Sequence, residues 1–163
     1  MKKKNVIFSF TFILFVLLLS RCTLPDTAYD LFLENNTNQY LHYYLAFGDN
    51  IISTTVYPDT LLPDNNSFIN NIVKPQEKYF MYLSFLPYSK IIKNLPQDTL
   101  SVFIFSKDTI DKFGWSEVLF GYKILQRYDI SSEDIKKLKD IIPYPPSEKM
   151  KDMKMYPAYG EDK

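Results

Sequence analysis

The apolar and polar positions divide the chain into one uninterrupted apolar run near its start and a series of short alternating segments after it. Residues 6–19, VIFSFTFILFVLLL, carry no charge. Residues 28–35, AYDLFLEN, put Tyr29, Leu31 and Leu33 on one side of a strand and Asp30, Phe32 and Glu34 on the other. Alternation resumes over residues 39–47 after Asn35-Asn36-Thr37-Asn38, whose side chains favour turns, so a hairpin is the simplest connection between the two strands. Residues 51–57 are a third candidate strand, and residues 57–66 form a loop bracketed by Pro58 and Pro63. The most strand-like segments are 78–86 and 99–106. The second reads as a central strand, because Val102 to Phe105 are apolar on both faces.

After Ser106 the signals turn helical. Asp108 can cap a short helix that Gly114 ends, and Ser116 can cap another running towards Tyr122. Residues 123–130 read as extended. Ser131 stands three residues ahead of Asp134, the capping-box spacing, which predicts a helix over 132–140 with Ile135 and Leu138 facing inward. Residues 141–144 fit an edge strand, since Pro143 has no N–H to give a sheet centre. Ser147 can cap a last turn. This order predicts a mainly β fold with late helices, β-sandwich-like or α+β, in which the sheet is mostly antiparallel. With only three alanines among many Tyr, Phe, Ile and Leu residues, the composition also favours strands over long helices. The Cys, Trp, Cys spacing of true immunoglobulin domains is absent.

The apolar run follows Lys2, Lys3 and Lys4 and is 14 residues long, the size of an export-signal core and short of the roughly 20 residues of a membrane-spanning helix. An uncleaved N-terminal anchor is the alternative. Directly after it, Leu19-Ser20-Arg21-Cys22 contains the only cysteine of the chain. That placement suits lipidation of Cys22, although Arg21 stands where bacterial lipoprotein signals have a small residue. The expected organisation is therefore a signal peptide over residues 1–21, a lipidated tether over 22–27, a single β-rich globular domain over 28–146 and a charged C-terminal tail over 147–163.

Removal of residues 1–21 changes the charge. The whole chain balances 19 basic against 19 acidic residues. The leader takes away four bases and no acid, which leaves 15 bases facing 19 acids, a net charge of −4. From Cys22 to Val73 there are six acids and no Lys or Arg. A mildly acidic domain excludes a broadly basic nucleic-acid binder.

Several strings occur together: the leader ending in Cys22, Tyr57-Pro58-Asp59-Thr60, residues 98–105 (DTLSVFIF), Trp115, residues 122–129 (YKILQRYD), Tyr144-Pro145-Pro146 and residues 153–157 (MKMYP). Together they resemble a group of small lipoproteins of Bacteroides-type bacteria that have no assigned activity. The resemblance spans most of the chain and implies a cell-envelope lipoprotein; the expected location is the cell envelope, lipid-anchored to the outer membrane. It carries no functional residues over.

Candidate chemistry is sparse. His42 is the only histidine, so any Ser-His-Asp or Cys-His mechanism must use it; there is no second histidine for a zinc site, and no CxxC pair or glycine-rich phosphate loop is present. Tyr40, His42 and Tyr44 alternate along one strand face and form a candidate aromatic binding row for a protein or glycan ligand. Asp59, Asp64, Asn65 and Asn66 have the oxygen donors a calcium loop uses, without the spacing of an EF-hand. Met150, Met153 and Met155 bring three soft thioethers together, which packing of a terminal segment explains more simply than copper. Asp108 with Asp111 and Glu133 with Asp134 are carboxylate pairs in sequence, which helix capping accounts for. No cofactor or metal is expected. The expectation is a membrane-tethered, non-enzymatic binding or structural module; the alternative is an envelope hydrolase acting on glycan or peptide through carboxylates.

Overall fold

A computed structural model describes residues 28–46, 62 and 67–161. Within them the fold is mainly β, with two mostly antiparallel sheets and helices concentrated late in the chain. Strand β1 (Tyr29–Asn35) is the middle of a three-stranded sheet, flanked by β4 (Lys78–Ser84) antiparallel and β7 (Ile141–Tyr144) parallel. The other sheet has five strands in the order β3 (Ile72–Val73), β2 (Leu41–Ala46), β5 (Leu100–Ser106), β6 (Gln126–Ile130) and β8 (Lys154–Tyr156), every pair antiparallel.

The two-residue period of β1 turns Leu31 and Leu33 inward and leaves Phe32 on the outer face. There the Phe32 ring meets Phe80 edge-on at 5.8 Å and lies under the Lys78 ammonium at 4.2 Å. Leu31, Leu33, Met81 and Ile142 of the small sheet share one core with Leu41, Val102, Ile104 and Tyr128 of the large sheet. Helices α1 (Tyr88–Ile92) and α3 (Ser132–Lys137) close that core with Ile92 and Ile135. Tyr128 ties the sheets together, because its fully buried hydroxyl donates to the Pro143 carbonyl on β7 at 2.9 Å.

Helix α2 (Lys107–Phe120) covers the other face of the five-stranded sheet, where Ile110 and Val118 pack with Phe103 and Phe105 and the Trp115 ring meets Phe105 edge-on at 5.5 Å. All seven residues of β5 are buried, which accounts for its continuous apolar pattern. The cap of α2 is Ser106 rather than Asp108; its hydroxyl accepts from the Thr109 N–H. Gly114 breaks the helix at φ 74°, ψ 161°, a conformation open to glycine. Helix α3 has the expected capping box, with Ser131 and Asp134 each bonding the other's backbone N–H.

Two expectations need correction. Strands β1 and β2 do not form a hairpin; they lie in different sheets. No residue from 35 to 40 takes a positive φ, as the tight hairpin turns require. Instead the buried Asn35 amide donates to the Gln39 and Lys74 carbonyls at 2.8 and 2.9 Å while its oxygen accepts from the Thr37 N–H and hydroxyl. Those bonds fold the link into a corner that sends the chain across to the second sheet. The segment expected as a charged tail also folds back. Met150 and Met153 are buried in the shared core, and β8 is hydrogen-bonded to β6. Strand β7 is an edge strand, as Pro143 requires. The candidate strand over 51–57 lies outside the described residues.

Candidate functional site

Strand β6 reads Gln126-Arg127-Tyr128-Asp129-Ile130 and is buried throughout. Its period sends Tyr128 and Ile130 into the shared core, so Arg127 and Asp129 emerge side by side on the face that carries α2. They are 5% and 3% exposed. The Arg127 Nε donates to Asp129 Oδ2 at 3.0 Å, and Ser101, directly opposite Asp129 in the ladder, donates to Oδ1 at 2.7 Å. Both carboxylate oxygens are therefore engaged. Arg127 Nη1 donates to the Tyr122 hydroxyl at 2.8 Å, and its guanidinium lies 5.9 Å from the centre of the Tyr156 ring. Burial alone would lower the Arg127 pKa, but the Asp129 charge and Tyr122 outweigh it and hold the value up. The Tyr122 hydroxyl is pushed up, first by burial, against the pull of Arg127. At neutral pH the guanidinium is thus charged and the Tyr122 hydroxyl it bonds is a neutral phenol.

Tyr122 and Tyr156 stand 5.9 Å apart at the wall of an open groove of about 560 Å³, whose lining also includes Thr109, Lys123, Ile124 and Leu125. Lys123 is held 3.6 Å from Glu117 and 4.6 Å above the Phe113 ring. The groove offers two aromatic faces, an ammonium and a hydroxyl, with no carboxylate in its lining. Such a surface can stack on and hydrogen-bond a ligand.

The sequence-predicted residues lie elsewhere. Tyr40 is exposed just ahead of β2, His42 is 1% exposed, and Tyr44 is half-buried against Phe103 at 6.0 Å. They share a side along which exposure is uneven, since His42 is buried and Tyr44 is half-buried. Burial foremost, then Lys107, lowers the His42 pKa against the opposing effects of Asp111 and a hydrogen bond to the Ile69 backbone, so the ring is neutral at pH 7. Among the described residues its buried Nδ1 has no hydrogen-bond partner. Cys22, Asp59, Asp64, Asn65 and Asn66 lie outside the described residues. Among the described residues no cluster of three or more His, Cys, Asp or Glu side chains could hold a metal ion. Asp111 pairs with Lys107 and Asp134 caps α3, so each has a structural role.

Sequence reasoning missed Arg127, Asp129, Tyr122 and Tyr156 as a unit. A signal was present: the chain uses lysine almost everywhere, and Arg127 is one of only two arginines, set two residues from Asp129 in an alternating strand. Searched against protein-family models, curated proteins and solved structures, the chain matches none.

A second acidic locus sits where β1 meets β7. Burial, then the charge of Asp30, raises the Asp140 carboxyl above its usual 3.8. A raised carboxyl favours the fold when protonated: that contribution is complete below about pH 3.8 and is lost as pH rises through the higher folded value. The charge is thus a penalty at neutral pH. Asp140→Asn is expected to stabilise the protein by about 0.5 kcal/mol at pH 7, after allowance for screening, and by less near pH 4. Asparagine also suits the φ of 62° at this position. Urea melts at the two pH values check this; an equal gain at both would contradict the sign.

Proposed function

We propose that the protein is a cell-envelope lipoprotein, tethered to the membrane through Cys22, that acts as a non-enzymatic binding module. The observation that carries the binding role is the groove beside Tyr122 and Tyr156, whose aromatic walls are fixed from behind by the buried Arg127–Asp129 pair. Rigid aromatic walls with one ammonium suit a glycan or peptide segment, and the absence of carboxylates from this lining favours binding over acid/base hydrolysis there. The charged, apolar leader and the lone cysteine after it support the tether, and the resemblance to small lipoproteins of Bacteroides-type bacteria agrees with it. Among the described residues no helix is long and apolar enough to cross a membrane.

Binding is tested by titrating the full chain in detergent with envelope glycan fragments and peptides while following its amide resonances. Shifts confined to Tyr122, Lys123 and Tyr156, and abolished by Tyr156→Ser, are expected. Shifts clustered elsewhere, or product formation, would overturn the reading. For the tether, Cys22→Ser in a chain whose leader is removed, as mass spectrometry of the N-terminus checks, is expected to move the protein from the membrane fraction to the soluble fraction. Full retention with the leader in place would identify an uncleaved anchor instead.

A further inference from the structure

Three exposed apolar side chains, Leu83, Phe85 and Leu86, gather at the end of the small sheet where the described chain begins. In the β1–β4 ladder Tyr29 is opposite Ser84, so the turn after Ser84 lies beside the start of β1. That turn presents Phe85 and Leu86, 66% and 55% exposed, next to the exposed Leu83. It is a built feature. The Ser84 hydroxyl accepts from the Leu86 N–H at 2.9 Å and donates to the Leu86 carbonyl at 2.8 Å, which fixes the tip. The Tyr88 hydroxyl donates to the Tyr29 carbonyl at 2.8 Å and clamps the following helix to the same end.

We infer that the Phe85–Leu86 turn seats in the bilayer surface to which the tether attaches. The inference rests on the tethering proposed above. Cys22 precedes Ala28 by six residues, which span at most about 20 Å when fully extended. A lipid on Cys22 therefore holds the Tyr29 end, and the turn beside it, close to the membrane. The charge is complementary as well: residues 85–97 carry Lys90 and Lys93 and no acid, and both lysines are exposed on and just after α1. An apolar tip flanked by lysines matches the acyl boundary and anionic headgroups of a lipid surface. Seating this end leaves the Tyr122–Tyr156 groove, on the far face of the five-stranded sheet, free for a ligand.

The full chain, purified from membranes, is reconstituted into vesicles of phosphatidylcholine and phosphatidylglycerol with brominated acyl chains, and tryptophan emission is compared with unbrominated vesicles. Leu86→Trp and, separately, Phe85→Trp add a reporter at the tip. Phe120→Trp adds one at the 89% exposed end of α2 on the opposite layer. Roughly two-fold quenching of the tip reporters is expected, as for a side chain at the headgroup boundary, with Phe120→Trp and the parent unchanged. Protein that floats with the vesicles while both tip reporters stay unquenched, or while Phe120→Trp is quenched instead, overturns the seating and leaves the tether standing. A dimer whose tip reporters are shielded without lipid overturns it in favour of a second copy. A parent chain that fails to float overturns the tether and the seating together.

Discussion

Arg127→Ala is expected to destabilise the protein by about 3–5 kcal/mol, the range for removing one partner of a buried ion pair. The substitution leaves the Asp129 carboxylate, 3% exposed, with Ser101 as its one remaining partner in this network, and it removes the donor that holds the Tyr122 hydroxyl. Asp129→Ala should cost a similar amount, because it strands the guanidinium. The double substitution Arg127→Met with Asp129→Leu is expected to cost less than either single change, since it removes both charges and fills the space with apolar volume. Denaturant melts of the four chains measure the coupling. Additive losses would show that the pair contributes no mutual stabilisation. The effect extends to function: without Arg127 the Tyr122 ring loses its anchor, so ligand shifts at the groove should weaken even in molecules that remain folded.

Ending the chain at Pro146 is expected to abolish cooperative folding. The deletion removes Met150 and Met153 from the shared core, at about 1.5–3 kcal/mol for each buried side chain. It also strips β8 from β6 and takes away the Pro157 carbonyl that accepts from Gln126 at 2.8 Å. Together these losses are comparable with the 5–15 kcal/mol that typically stabilises a domain. A chain ending at Tyr159 keeps β8 and both methionines and is expected to melt within a few degrees of the parent. Circular dichroism melts of the two truncations decide the matter; a cooperative transition at the parent temperature in the shorter chain would show that the C-terminal segment is dispensable.

Much of the fold could be read from local pattern. The inward face of β1, the two-sided burial of β5, the capping box of α3 and the edge position of β7 each follow from residues within a few positions of one another. The errors fell where partners are distant in sequence. Asn35 looked like turn chemistry, and it is, but its amide reaches Lys74, and that bond helps turn a nominal hairpin into a crossing between sheets. Ser106 caps α2 because the chain leaves β5 there, whereas Asp108, two residues on, has equally good capping chemistry in sequence.

The candidate site was less legible. Tyr40, His42 and Tyr44 have the right alternation for a binding row, yet alternation says only that side chains share a face and leaves open whether that face is covered. The structure buries His42 and half-buries Tyr44. The groove that remains open draws Tyr122 from just after α2 and Tyr156 from β8, with Arg127 of β6 behind Tyr122, and the C-terminal segment that supplies Tyr156 reads as a charged tail.

By itself, the sequence determined that this chain builds short strands with late helices and that a cationic, apolar segment followed by Cys22 precedes them, because periodicity and composition are local properties. Only the tertiary structure decided which strands are neighbours, that the C-terminal methionines belong to the core, and that Arg127 is buried against Asp129 behind two tyrosines. Those outcomes depend on burial and on hydrogen bonds between residues tens of positions apart, and pairing across such distances is set by which arrangement leaves the fewest polar groups unmatched and the least apolar surface in water.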